Sequence, residues 1–447
     1  MIDWEVVRGE VTGYLQGLIR IDTTNPPGNE TEAARYLEGI LREEGFDSLV
    51  VESEPGRGNV IARISGGGEK TLMLLGHTDV VAVEPEHWTH PPFSGALIDG
   101  YVWGRGALDM KNMVAANLMV FLLLQREKIS LDRDVVFAAT ADEEAGKGKH
   151  GPGWIIDNRP ELWDAPLIIT EGGGSDFTVG DQRFYTCQTG QKGLCRLRVI
   201  ARGAPGHGSM PHGDSAILKL AKALAGLEGA VLPAHISASV RKFIEGIAVQ
   251  RPKAEAEVWR QVLDEATCDV ALGQLPVDEE WRRELGAVLR NTASVTMLQA
   301  GAKINVIPGE AIAWVDGRLA PGQTQESFAA ELRAFIGDEV EIEIDQYTPP
   351  LEADADTELF RTIEAVMQER EPDVPVLPYL MPAGTDAKHI VPRRPETQIY
   401  GFMPYRQQAG EEEMKLIHGH DERTSVEELL FAVQVLYEVV CSFAGGD

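Results

Sequence analysis

Three short β-rich runs constrain this chain more than any other feature. Thr71–Leu75, Val135–Thr140 and Leu167–Thr170 are each followed at once by acids or an imidazole: His77 and Asp79 after the first, Asp142-Glu143-Glu144 after the second, Glu171 after the third. Segments of helical length, Thr31–Glu44 and Met110–Leu124, alternate with them. Such alternation calls for an α/β layer structure, and in its sheets ligands gather beyond the carboxyl ends of the strands. A Gly-containing loop, Gly104-Arg105-Gly106-Ala107-Leu108-Asp109, adds one more carboxylate just before a helix. If these ends lie side by side, carboxylates and a histidine meet in one place, and their like charges call for a cation.

His77 stands two residues before Asp79. A ligating imidazole usually donates its second N–H to an oxygen, so Asp79 is the expected orienting group for His77. The bland alternative for each residue is an ordinary polar side chain at a strand end, and it gives way only because several such ends recur.

The chain of 447 residues suggests two domains or three. Its 43% hydrophobic and 25% charged content is that of an ordinary globular protein. The apolar run near Leu118 to Leu124 is too short to cross a bilayer. A formal charge of -29 with no basic block argues against nucleic acid and anionic membranes as partners. Cys187, Cys195, Cys268 and Cys441 form no C-x-x-C pair and read as reduced thiols, and the N-terminus lacks a basic-then-apolar leader, so a cytoplasmic location is expected.

Trp4, Val7, Val11, Leu15, Leu18 and Ile19 recur at helical spacing, and Asn25-Pro26-Pro27-Gly28 then breaks the helix. From Gly193 the order changes: strand (Leu194–Ala201), helix (Ser215–Leu227), strands (Ser294–Gln299, Glu310–Leu319), helix (Glu326–Ile336), strand (Val340–Ile344). This is the ferredoxin-like βαββαβ order of a separate small domain, interrupted by a helix-rich insertion at about 230–291. The domain expectation is therefore a discontinuous catalytic domain, 1–190 and 347–447, around a second domain, 191–346. A final helix spans Val426 to Phe443 behind a Thr424 or Ser425 cap.

Gly76-His77-Thr78-Asp79-Val80, Gly104-Arg105-Gly106 with Asp109 and Lys111, Asp142-Glu143-Glu144, Glu171-Gly172-Gly173, Gly206-His207 and His418 with Asp421-Glu422 occur in this order. Together they resemble the dinuclear-zinc amidohydrolases typified by acetylornithine deacetylase, succinyl-diaminopimelate desuccinylase, aminoacylase and glutamate carboxypeptidase. The segment His87-Trp88-Thr89-His90-Pro91-Pro92-Phe93 looks most like the aminoacylase and carboxypeptidase S branch. The resemblance implies a mixed-sheet α/β zinc-peptidase catalytic domain with an inserted ferredoxin-like dimerisation or lid domain. It implies two Zn²⁺ per chain, for which Co²⁺ or Mn²⁺ could substitute: His77 and Glu171 on one metal, Glu144 and His418 on the other, Asp109 bridging through a cis Asp109–Met110 peptide.

By the same resemblance Glu143 is the general base, acting on a water held between the metals. His207 reaches across a homodimer interface to the scissile carbonyl, and Asn305, Arg318 and Gly384 hold the substrate's carboxylate or carbonyl. His420 is expected beside the ligands. The implied activity is hydrolysis of an N-acyl amino acid or short peptide with a free carboxylate. The alternative, an inactive relative that only binds, predicts an eroded ligand set or loss of Glu143, and both are intact. No G-x-S-x-G, P-loop or H-E-x-x-H pattern supports another hydrolase class.

Overall fold

The computed structural model describes residues 2–67, 71–145, 148–407 and 413–446. The chain divides into two compact units: Met1–Thr189 with Ala353–Tyr379 and Thr385–Asp447, and Gly190–Glu352 with Leu380–Gly384. Each unit closes a core of its own.

The larger unit is built on a mixed sheet in the strand order Ser48–Glu52, Gly58–Ile64, Val135–Thr140, Leu72–His77, Leu167–Thr170, Gln398–Gly401, Gln182–Gln191. The four central strands run parallel, with His77 opposite Thr140, Leu74 opposite Ile169 and Gly401 opposite Thr170. Their carboxyl ends therefore emerge along one edge. Leu72 through Leu75 are fully buried, as expected for a strand covered on both faces, and so the run is continuously apolar rather than alternating.

The covering helices follow from equally direct signals. In Trp4–Ile19 the Asp3 carboxylate accepts the first free N–H groups of Glu5 and Val6, while Val7, Val11, Leu15 and Leu18 form the buried stripe. Lys111–Arg126 is buried almost all round because it packs against both that helix and the terminal helix Val426–Ala444, which Ser425 caps. Each fully buried Leu or Phe there contributes about 1.5–3 kcal/mol. Among the described residues no helix is long and apolar enough to cross a membrane.

The smaller unit is a four-stranded antiparallel sheet in the order Thr292–Ala300, Glu310–Leu319, Gly193–Arg202, Glu341–Thr348. Helices Ala216–Ala225 and Gln325–Ile336 bury Leu220, Ala223, Phe328 and Leu332 in its core. Taken in sequence, these strands follow the βαββαβ order with the first and third central. The insertion is helical: Ala238–Val249, Lys253–Gln261, Cys268–Gln274 and Glu279–Val288, with Trp259 fully buried in it.

Two features differ from the sequence expectation. Leu380–Gly384 groups with the smaller unit, where the Lys192 N–H donates to the Met381 carbonyl at 2.9 Å, so Gly384 belongs there and not to the catalytic segment. The long strand Gln182–Gln191 was not anticipated because its buried positions include Gln188, Thr189 and Gln191, which give no apolar run to read.

Candidate metal centre

The larger unit gathers every candidate that the sequence placed at its strand ends. His77 ends its strand, and its imidazole is almost wholly buried at 1% exposure. Asp109 precedes the helix Lys111–Arg126, and the Asp109–Met110 peptide is cis. The loop leading to it needs a glycine at 104: φ is 151°, and a Cβ there would meet the Pro92 carbonyl oxygen at 2.8 Å.

The Asp109 carboxylate lies between two imidazoles. Its Oδ1 is 3.1 Å from His77 Nε2 and its Oδ2 is 3.1 Å from His418 Nε2. Glu171 Oε2 stands 3.7 Å from His77 Nε2, and Glu144 Oε2 stands 3.2 Å from His418 Nε2. His77, Asp109 and Glu144 offer donor atoms all within 4.8 Å of one another, and so do His77, Glu143 and Glu171. Glu143 thus sits at the same cluster as the candidate ligands.

Asp79 has a role beyond the one read from its spacing. His77 Nδ1 is 3.0 Å from the Asp79 main-chain oxygen, with the carboxylate Oδ1 at 3.5 Å. The nearer, main-chain acceptor favours the tautomer that leaves Nε2 free, with the carboxylate beside it. The Asp79 carboxylate accepts the main-chain N–H of Glu143 at 3.2 Å and of Glu144 at 3.1 Å, together with Asn25 Nδ2 at 2.9 Å. It pins the loop that carries Glu143 and Glu144. That loop is braced again at Asp142, whose carboxylate accepts the Lys149 N–H at 2.7 Å and meets Arg57 at 3.4 Å.

Lys388 escaped the sequence reading. Its Nζ is 2.5 Å from Glu143 Oε1 and 3.3 Å from the Glu143 carbonyl oxygen, an ion pair directly on the expected base. The only signal was its place after the Gly384-Thr385-Asp386 loop. His420 does not join the ligands; its Nε2 meets Glu84 at 2.9 Å.

Electrostatics argue for positive charge at this site. Burial would raise the Asp109 carboxyl, but hydrogen bonds from His418 and His77 hold it well below the usual range. Glu171 is pushed up to about 7 by burial and by the charges of Asp109 and Glu143, against the pull of His77. His418 is raised to about 10 by its bonds to Asp109 and Glu144. Burial alone would lower the His77 imidazole, yet Glu171, Asp109 and Asp79 carry it well above its ordinary value. The imidazoles take up protons because the carboxylates need cations. Glu144 Oε1 is buried and has no hydrogen-bond partner among the described residues, as a donor reserved for a metal would be. Mixed imidazole and carboxylate donors suit a borderline divalent ion, so the residues fit a metal.

In the smaller unit, His207 lies on the two-residue strand Gly206–His207 paired with Val306–Ile307, and its Nδ1 meets Ser209 Oγ at 2.8 Å. Asn305 is beside it: its carbonyl accepts the Gly208 N–H at 2.8 Å. Both residues are exposed. Arg318 is elsewhere, near the far end of Glu310–Leu319, with Nε 2.8 Å from Asp316 Oδ1. Met381, three residues before Gly384, is at the Arg318 end, because Lys192 bonds Met381 while Gly193 pairs with Leu319.

Comparison with known proteins agrees with this geometry. The profile of Peptidase family M20/M25/M40 matches residues 73–442. N-fatty-acyl-amino acid synthase/hydrolase PM20D1 of Xenopus tropicalis is 28% identical, the match covering 98% of this chain and 86% of the relative. Aminoacylase-1 of Sus scrofa is also 28% identical, over 97% of this chain and 95% of its own. Among solved structures, the M20 family metallo-carboxypeptidase Sso-CP2 from Sulfolobus solfataricus has a TM-score of 0.67 at 19% identity, covering 96% of this chain and 98% of that one, a likeness of fold. The matched stretch contains all the side chains of the metal centre, and the chain belongs to Peptidase family M20/M25/M40 as a metal-dependent hydrolase of amide bonds.

Proposed function

We propose that the chain hydrolyses an N-acyl amino acid or short peptide bearing a free carboxylate, using two Zn²⁺ per chain, with Co²⁺ or Mn²⁺ able to occupy the same donors. The observation that carries this reading is the Asp109 carboxylate, with one oxygen facing each imidazole at 3.1 Å. Asp109 would bridge, His77 and Glu171 would complete one metal, and Glu144 and His418 the other. When bound, the metals supply Lewis acidity toward the scissile carbonyl and the attacking water.

The remaining steps belong to side chains. Glu143 takes the water's proton on its carboxylate and passes it to the leaving nitrogen. Asp79 fixes the Glu143 and Glu144 backbone, so base and ligand move as one. Lys388 holds the Glu143 carboxylate in one orientation.

A homodimer in which His207 acts from the partner is part of the proposal. Asn305 and His207 adjoin the Glu310 end of a strand, whereas Arg318 lies near its other end, eight residues or roughly 26 Å of strand away. This favours His207 and Asn305 polarising the carbonyl from a second copy, and Arg318 gripping the substrate carboxylate in its own chain. The edge strand Thr292–Ala300 supports such pairing, since Met297 and Leu298 are 60% and 65% exposed on it. The free cysteines fit a cytoplasmic location.

The test is a panel of N-acyl amino acids and dipeptides, each with a free and an amidated carboxylate, assayed after chelation and after return of zinc. Activity should vanish on chelation, return with about two equivalents of zinc, and favour the free acids. Full turnover by metal-free protein, or equal turnover of the amidated forms, would refute the reading. Mixing inactive His207→Ala chains with inactive Glu143→Ala chains should restore partial activity if His207 acts in trans.

A further inference from the structure

The His418 segment raises a question that its side chain does not answer. The imidazole is 51% exposed, so packing does little to hold it. Its backbone lies in the left-handed region at φ 60°, which non-glycine residues seldom adopt. The main chain must therefore be held by something else.

Arg105 and Glu422 hold it. Arg105 NH2 donates to the carbonyl oxygens of His418 at 3.3 Å and Gly419 at 2.9 Å. Arg105 NH1 donates to Glu422 Oε2 at 2.6 Å, and the two side chains are 2% and 0% exposed. Glu422 Oε1 accepts the main-chain N–H groups of Leu108 at 2.7 Å and Asp109 at 3.1 Å. The segment is clamped a second time where the Asp421 carboxylate accepts the Thr89 N–H and hydroxyl, both at 2.7 Å. One buried path of hydrogen bonds thus joins the backbone of Asp109 to the backbone of His418. The planar fork of Arg105 reaches the carboxylate and both carbonyls from fixed directions, and the Glu422 carboxylate accepts from the fork through one oxygen and from two N–H groups through the other. His77, set in a core strand, needs no such device.

We propose that Arg105 and Glu422 are a positioning pair that sets the spacing of Asp109 from His418, and with it the affinity for the metal those two residues share with Glu144. The metal held by His77 and Glu171 meets the pair only through the other oxygen of Asp109, so it is the less affected of the two. This rests on the two-metal reading above.

The experiment titrates zinc into the metal-free full-length protein against a chromophoric competing chelator, with retained zinc counted after dialysis. Wild type should bind two ions. Glu422→Gln sets an NH2 donor against either the Leu108 and Asp109 N–H groups or the Arg105 fork, and Arg105→Lys keeps the charge but loses the fork. Each should weaken one ion by about 10–100-fold and leave the other within about two-fold, and the double variant should be no weaker than the worse single one. Should Glu422→Gln fail to fold, Arg105→Lys carries the test. Wild-type affinity for both ions in the variants, or equal weakening of both, overturns the proposal. Fewer than two ions in wild type overturns the two-metal reading itself, and the proposal with it.

Discussion

His77 and His418 face opposite oxygens of one carboxylate at the same 3.1 Å, yet the fold holds them by different means. His77 ends a fully buried strand and has its tautomer set by a main-chain oxygen two residues on. His418 stands half in solvent, on a segment held through its carbonyls. One proposed ligand is rigid because the core is rigid; the other is rigid only while a set of polar bonds survives. The loop with Glu143 and Glu144 serves both halves, and Asp79 ties it to the His77 side.

The comparison breaks first at Glu143. Glu143→Gln should lower kcat by roughly 10²–10⁴-fold while zinc content, counted by elemental analysis, stays at the wild-type level. Loss of an ion along with turnover would make Glu143 a ligand of the His77 half, where its oxygen already lies in reach.

Next in size is the contrast between the two histidines in metal-free protein. His77→Ala leaves the buried carboxylate of Asp79 and the part-buried Glu171 without the imidazole they face, with Asp109 keeping only His418, and should cost about 3–5 kcal/mol in denaturant unfolding. His418→Ala removes a half-exposed partner and should cost under about 1 kcal/mol, although it too should lose a metal. Equal costs would erase the distinction between core-held and loop-held ligands.

Smaller effects sharpen it. Lys388→Met frees the Glu143 carboxylate and should reduce kcat by about 10–100-fold with KM little changed, with partial recovery in Lys388→Arg. Asp79→Asn leaves the main-chain acceptor of His77 in place but removes one of the two oxygens that hold the loop. About a ten-fold loss of kcat with zinc retained is expected in steady-state assays; loss of zinc would show instead that the carboxylate orients His77.

What the sequence made legible follows the same division. His77, Glu143, Glu144 and Glu171 could be located because a fully buried parallel strand writes itself as an apolar run, and its end is where such sheets place their chemistry. Nothing local marks His418: it ends no strand, and its geometry depends on Arg105, more than three hundred residues away in sequence. Only the ordered resemblance to a family pointed to it. Lys388 was missed for the same reason, since its meaning lies in a contact with Glu143 that no periodicity encodes. In the smaller unit the strand order could be read from alternating runs, but the separation of Arg318 from Asn305 appears only once strand direction is known.

Diffraction from zinc-loaded crystals, recorded on either side of the zinc absorption edge, tests the two-sided site most directly. Two anomalous peaks should flank the Asp109 carboxylate, one beside His77 and Glu171 and the other beside Glu144 and His418. A single peak, or a second one away from His418, would contradict it.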